Sequence, residues 1–116
     1  MPAFPSGTIK VWAEGTWTSQ TLDVSMKEGS VKRWNELRWV ELNANDETKA
    51  YVRVDILNSN DDSLQTDLVG TADSVTGEDF IVLSDYANVV NVDIKIKFKI
   101  YGYGGSTPLV RNMHVR

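Results

Sequence analysis

The sequence predicts an all-β, antiparallel protein, and three of its features carry that expectation. Residues 89–101 read Val-Val-Asn-Val-Asp-Ile-Lys-Ile-Lys-Phe-Lys-Ile-Tyr. In an extended chain this puts Val90, Val92, Ile94, Ile96, Phe98 and Ile100 on one face, and Asn91, Asp93, Lys95, Lys97, Lys99 and Tyr101 on the other. Such a segment is a central strand with one covered face, because burying each inward side chain contributes about 1.5–3 kcal/mol. Second, short alternating or apolar runs recur along the chain between clusters of Gly, Asn, Asp and Ser. Third, no segment of ten or more residues holds a helical spacing. The expected architecture is one antiparallel β-sandwich or barrel of about eight to nine strands.

In chain order, residues 8–12 alternate Ile9 and Val11 against Thr8, Lys10 and Trp12, and residues 15–19 (Gly-Thr-Trp-Thr-Ser) are strand-compatible. A short extended piece at 21–24 leads into a polar surface loop at 25–30. Val31, Trp34 and Leu37 begin at helical spacing, but Leu37, Trp39 and Glu41 alternating with Arg38, Val40 and Leu42 predict a strand from about Trp34. The turn-forming cluster 43–48 then leads into 50–57, with Ala50, Val52, Val54 and Ile56 inward and Tyr51, Arg53 and Asp55 outward. These two runs are predicted to pair as an antiparallel hairpin. A loop at 58–63, a strand at 64–69 closed by Gly70, a loop of small and acidic residues at 71–78 and an apolar strand at 80–83 follow. Beyond the long strand, the turn 103–108 feeds a last strand bearing Leu109, Val110, Met113 and Val115.

The 116 residues suit one domain, 1–116, large enough to bury a core without disulfide or metal staples. The absence of cysteine excludes disulfides, thiolate nucleophiles and Cys-based zinc sites. A net charge of −4 and a pI near 4.9 oppose general nucleic-acid binding, which depends on Lys and Arg neutralising phosphates. No apolar run approaches the ~20 residues of a membrane span, and the opening Met-Pro-Ala-Phe-Pro-Ser-Gly does not read as a signal peptide. Neither nucleic acid nor membrane is an expected partner.

Three stretches together resemble a known group: Trp17-Thr18-Ser19-Gln20-Thr21-Leu22-Asp23, the alternating pattern of 34–54, and the long strand running on to Ser106-Thr107-Pro108-Leu109. They are similar to the jelly-roll, galactose-binding-like β-sandwich modules of secreted bacterial carbohydrate-active proteins and of phage tail or surface proteins. The resemblance spans most of the chain and is made of structural residues. It implies a jelly-roll sandwich and a non-catalytic binding or assembly module, extracellular within a larger secreted protein or part of a virion. It also implies sugar recognition through exposed aromatics, sometimes beside a structural calcium.

Catalytic chemistry has little to stand on. The single histidine, His114, has no cysteine or Gly-x-Ser-x-Gly to work with and is predicted on a strand surface. Gly102-Tyr103-Gly104-Gly105 lacks the helix and the Gly-Lys-Ser/Thr of a phosphate loop. Nearly all of the sixteen acids fall in turn clusters or at outward positions, so no carboxylate pair stands out for glycoside hydrolysis and the chain is not read as an enzyme. Aromatics are more informative: Trp12, Trp17, Trp34 and Trp39 with Tyr51, Tyr86, Tyr101 and Tyr103 can furnish a core and a stacking platform. Trp39, aligned with Leu37, is expected inside, and Trp34, Tyr101 and Tyr103 outside.

The outward stripe Lys95, Lys97, Lys99 and Tyr101, beside Arg53 and Tyr51, would suit an anionic ligand such as a uronic-acid polysaccharide. The same stripe also reads as a solvated face whose lysines, next to Asp93 and Asp55, oppose edge-to-edge aggregation. The candidate ligand-binding set is therefore Trp34, Tyr51, Arg53, Lys95, Lys97, Lys99, Tyr101 and Tyr103. The acidic loops 43–47 and 58–62 offer oxygens in the manner of calcium sites, without EF-hand spacing, and turn chemistry accounts for both. Calcium is the one cofactor that enters consideration. The expected function is non-catalytic binding of a polysaccharide or oligosaccharide. The alternative is a structural protein of a phage tail, virion or surface filament, assembling as a homo-oligomer through the same outward faces.

Overall fold

The computed structural model describes residues 8–10, 15–42, 50–102 and 108–116. Its strands are β1 (Thr8–Lys10), β2 (Gly15–Thr18), β3 (Glu36–Leu42), β4 (Tyr51–Asn58), β5 (Ser63–Leu68), β6 (Thr71–Asp73), β7 (Glu78–Val82), β8 (Ile94–Tyr101) and β9 (Leu109–Val115). They form two antiparallel sheets, ordered β1-β9-β3-β7-β6 and β2-β8-β4-β5. Setting aside the three-residue β6, two four-stranded sheets remain, and the chain passes between them at each connection except β4 to β5. That is the strand order of a jelly roll.

The core follows from the alternation. Ile94, Ile96, Phe98 and Ile100 of β8 are buried, and their neighbours on β4 are Ile56, Val54 and Val52. Facing them from the other sheet are Leu37, Trp39, Ile81, Val110, Met113 and Val115. Trp39 meets Phe98 edge-on, with ring centroids 5.4 Å apart and planes at 73°, a favoured aromatic geometry. In β9 the inward residues are spaced three and then two apart. Asn112 supplies the extra residue: its φ of 55° marks a bulge where the β3–β9 register shifts between Arg38 and Val40. The bulge returns Met113 and Val115 to the inside.

Two sequence expectations are corrected here. The runs predicted at 34–43 and 50–57 give β3 and β4, which do not form a hairpin because they lie in opposite sheets. Alternation shows which face of a strand is buried, and both partners of a sandwich satisfy it equally. The long strand begins at Ile94 rather than at 89. Val89 lies in a short 3₁₀ turn, Val90 makes a single bridge to Arg33, and Asn91 adopts a left-handed φ of 56°. Asn91 is pinned there twice: its amide N–H donates to the Lys32 carbonyl (2.8 Å) and its side-chain oxygen accepts from the Lys32 amide (2.7 Å).

Smaller differences follow the same logic. Residues 71–78, expected as a loop, hold β6 and a tight turn into β7. The piece at 21–24 contributes only the Leu22–Ile94 bridge before a 3₁₀ turn, Val24–Met26, which Asp23 caps by accepting from the Ser25 amide. Trp12, the loop 43–47 and Tyr103 lie outside the described residues.

Candidate functional site

The outer face of the β2-β8-β4-β5 sheet brings most of the predicted set together. In the β4–β8 register Tyr51 is opposite Tyr101, Arg53 opposite Lys99, Asp55 opposite Lys97 and Leu57 opposite Lys95. Two of the three lysines are committed to carboxylates. Lys95 pairs with Asp61 at 2.7 Å, while Lys99 contacts Asp55 at 2.9 Å and also Asp67. Asp55 points outward yet is only 6% exposed, and it accepts a further bond from the Asp67 amide (2.9 Å). Burial opposes the Lys99 charge, but its bonds to Asp67 and Asp55 outweigh it and hold the ammonium above its usual range. Asp93, expected beside the lysines, instead accepts from the Val24 amide at 2.9 Å.

The aromatic part of the face is a stack. Tyr51 and Tyr101 have ring centroids 4.5 Å apart and planes at 24°, and the Arg53 guanidinium carbon sits 4.6 Å from the Tyr51 centroid. All three side chains are half-buried. β5 pairs with β4 only from Val54 onward, so residues 51–53 border the open side of the sandwich. There Arg53 donates to the Val52 carbonyl at 3.0 Å, and its charge acts on Asp67 of β5 and on Glu41 of the opposite sheet.

Glu41 belongs to a feature that the sequence reading missed. It lies on β3 two residues past Trp39, on the inward face, and Trp39 Nε1 donates to Glu41 Oε1 at 3.0 Å. Asp79 is Trp39's register partner on β7, also on the inward face, and the Glu41 and Asp79 carboxyls act on one another's ionisation. Burial pushes Glu41 up to about 7; the Trp39 bond and Arg53 pull it down, and the Asp79 charge raises it. Burial likewise raises Asp79, with Glu41 working in the opposite direction. Gly70, where the chain crosses from β5 to β6, closes over this pair. A Cβ there would lie 2.6 Å from the Trp39 ring carbons Cζ2 and Cη2 and 3.1 Å from Asp79 Cβ. The signal available in the sequence was an acid in phase with two inward residues: Glu41 after Leu37 and Trp39, and Asp79 two before Ile81.

Trp34, predicted to be exposed, is fully buried and is removed from the candidate set. Its indole N–H donates to the Val92 carbonyl at 2.8 Å, because residues 89–93 fold over it instead of extending β8. Loop 58–62 is a self-capped turn: Asn58 Oδ1 accepts from the amides of Asn60 and Asp62, and Asp61 holds Lys95. Among the described residues no three His, Asp or Glu side chains converge as a metal site. His114 lies half-buried on the outer face of the other sheet, opposite Arg38 and 3.7 Å from Glu78. Arg38 binds Glu36 (2.7 Å), Asp73 (3.0 Å) and Glu78 (3.4 Å) and lies over the Phe80 ring, a cross-strand network that ties β3 to β6 and β7.

No protein-family model, curated protein or solved structure matches this chain. The functional reading therefore stands on the geometry of this face and edge.

Proposed function

We propose that the protein is a non-catalytic recognition module of jelly-roll type that binds a polysaccharide or oligosaccharide along the row Tyr101, Tyr51 and Arg53. The observation that carries this reading is the row itself: two stacked phenol rings flanked by a guanidinium, on a rigid sheet at the open side of the sandwich. Aromatic rings offer C–H faces of a sugar an apolar contact, and Arg offers forked donors to hydroxyls or to a uronic carboxylate. Lys97, half-buried on the same face, has no acidic partner within salt-bridge distance among the described residues and adds to the preference for an acidic chain. The similarity to galactose-binding-like modules of secreted and phage proteins agrees with such a role, outside the cell or on a virion.

Affinity electrophoresis against neutral and acidic polysaccharides, with and without calcium and beside light scattering, tests the proposal. Retardation of a monomer by an acidic chain, lost in Tyr101→Ala and Arg53→Ala at unchanged fold, is the expected result.

A second reading, a subunit of a phage tail, virion or filament, draws on a different observation. Val75 is 92% exposed at the β6–β7 turn, although Asp73 fixes that turn by accepting from the amides of Val75 (3.0 Å) and Gly77 (2.8 Å). Val69 and Val82 are also exposed around the same hairpin. A discrete oligomer with no polysaccharide retardation would favour this reading, with the hairpin as contact surface.

A further inference from the structure

We propose that the free edge of β2 is a self-association edge: two copies of the protein pair their β2 strands antiparallel about a two-fold axis and join their four-stranded sheets into one of eight strands. The inference does not depend on what the protein binds.

The four edge strands differ in how they are blocked. β1 and β6 are three residues long, and short edges are one way in which sheets are protected from a foreign strand. β5 is longer but irregular. Its register on β4 shifts twice, Asp67 turns left-handed at a φ of 55°, and the Asn88 side chain donates to the Leu64 carbonyl at 2.7 Å. β2 carries none of these obstacles. It runs in unbroken register against β8 from Gly15 to Thr18, with no left-handed residue, no proline and no charge. The lysines of the stripe stand one strand further in, on β8.

Thr16 and Thr18 present the open edge. The Ser19 amide donates to the Ile96 carbonyl at 2.9 Å, and main-chain groups of an antiparallel strand alternate in direction. Gly15 and Trp17 therefore also turn toward β8, while Thr16 and Thr18 turn their N–H and C=O groups away from it. Both threonines are exposed, and among the described residues no hydrogen bond from outside the sheet reaches their main chain.

A second copy fits this edge because β2 is complementary to itself. With the axis at Trp17, each Thr16 lies opposite the partner's Thr18, and the two pairs exchange four main-chain hydrogen bonds. Thr–Thr pairs are favourable cross-strand neighbours. The half-buried Trp17 ring, 6.3 Å from Phe98 between centroids, meets its copy on the inner side of the join. No like charges come face to face, since residues 15–22 are uncharged. The row through Thr18 runs from Lys97 to the partner's Lys99, three strand spacings or about 14 Å away. That exceeds the ~8 Å screening length at physiological salt, and Lys99 is already held by Asp55 and Asp67. The strand is only four residues long, and so short a join falls well below the ~1,600 Å² of a standard interface. The dimer therefore forms in concentrated solution and dissociates on dilution.

The test is sedimentation of the intact protein from about 10 μM to about 1 mM, with proton–nitrogen NMR over the same range. The average mass is expected to rise from 13.0 kDa toward twice that value. The amides of Thr16 and Thr18 should shift most, and those of the β6–β7 hairpin should stay in place. Thr16→Lys with Thr18→Lys sets like charges opposite each other across the join and should hold the protein monomeric, as should Thr16→Glu with Thr18→Glu. An equimolar mixture of the two double variants should associate again, at least tenfold more tightly than either alone. Both positions are exposed, and the mapping on the native protein does not rely on the variants. Native protein that stays monomeric at the highest concentration, or shifts centred on the β6–β7 hairpin instead of β2, would overturn the proposal. So would charge variants that still self-associate or that do not recover on mixing.

Discussion

Trp34 and Trp39 are the two largest side chains of the core; each is fully buried and each donates its indole N–H. They differ in what accepts. Trp34 gives its proton to the main-chain carbonyl of Val92, beneath a segment fastened by the Lys32–Asn91 pair of bonds and the Arg33–Val90 bridge. Trp39 gives its proton to Glu41, a group that titrates, beneath a crossing that rests on a glycine. The two sites share burial and donor and differ in whether the acceptor can titrate, so only the second is expected to respond to pH.

The largest effect should come from emptying the first site. Trp34→Ala is expected to cost about 3–5 kcal/mol, as large aromatic truncations do, and to cost the same at pH 5 and pH 8. Denaturant titration at both pH values measures it, and a strongly pH-dependent loss would erase the contrast.

Next is the native protein's own pH profile. Glu41 sits at about 7 when folded, against an ordinary 4.5, so between those values the folded state binds more protons than the unfolded one. Its contribution is complete below about pH 4.5 and is lost as pH rises through about 7. Because the carboxyl is only partly buried and coupled to Asp79, the fall from pH 5 to pH 8 should be about 2 kcal/mol, less than the full shift implies at ~1.4 kcal/mol per pH unit. Stability that rises over this range would reverse the sign and remove Glu41 as the cause.

Gly70→Ala should follow, at about 1–2 kcal/mol, because the added methyl overlaps the Trp39 ring and a packed core gives way only at a cost. Near-ultraviolet circular dichroism of the variant should differ from that of the native protein, because the Trp39 ring must shift to admit the methyl group. The smallest effect is expected at the surface row. Tyr101→Ala removes the stack with Tyr51, worth about 0.5–1.5 kcal/mol, so thermal melting should barely move. If the variant lost several kcal/mol, Tyr101 would belong to the core and not to a recognition row.

How much of this was legible in the sequence depends on the range of the interactions. The alternation of 94–101 gave β8 and both of its faces, and Tyr51 and Arg53 were expected beside its lysine stripe, while the register that sets Tyr51 against Tyr101 and Arg53 against Lys99 was not legible. The sheet to which each strand belongs was not legible, since that is decided by partners tens of residues away. Trp34 was misplaced for the same reason: what buries it is the segment around Val92, turned out of the strand by the left-handed Asn91. Asp55 and Asp67 show the limit for charges. Composition counts lysines, but only the fold shows that Lys99 is already neutralised. The Glu41–Asp79 pair was written in the phase of two strands and lost under the rule that acids point outward.

The strand order bears on how the chain reaches this state. Only β4–β5 and β6–β7 join strands that are consecutive in sequence and adjacent in a sheet; each remaining pair must close a long loop before it gains anything. Folding should therefore begin at those two local hairpins and wait for β8 and β9 to arrive, on the millisecond-to-second scale of non-local β-proteins. Until β8 docks, the inward faces of β4 and β3 have nothing to cover them. A nascent chain stopped before residue 94 holds two hairpins and an exposed apolar face, and this interval is one in which it is open to association with other copies.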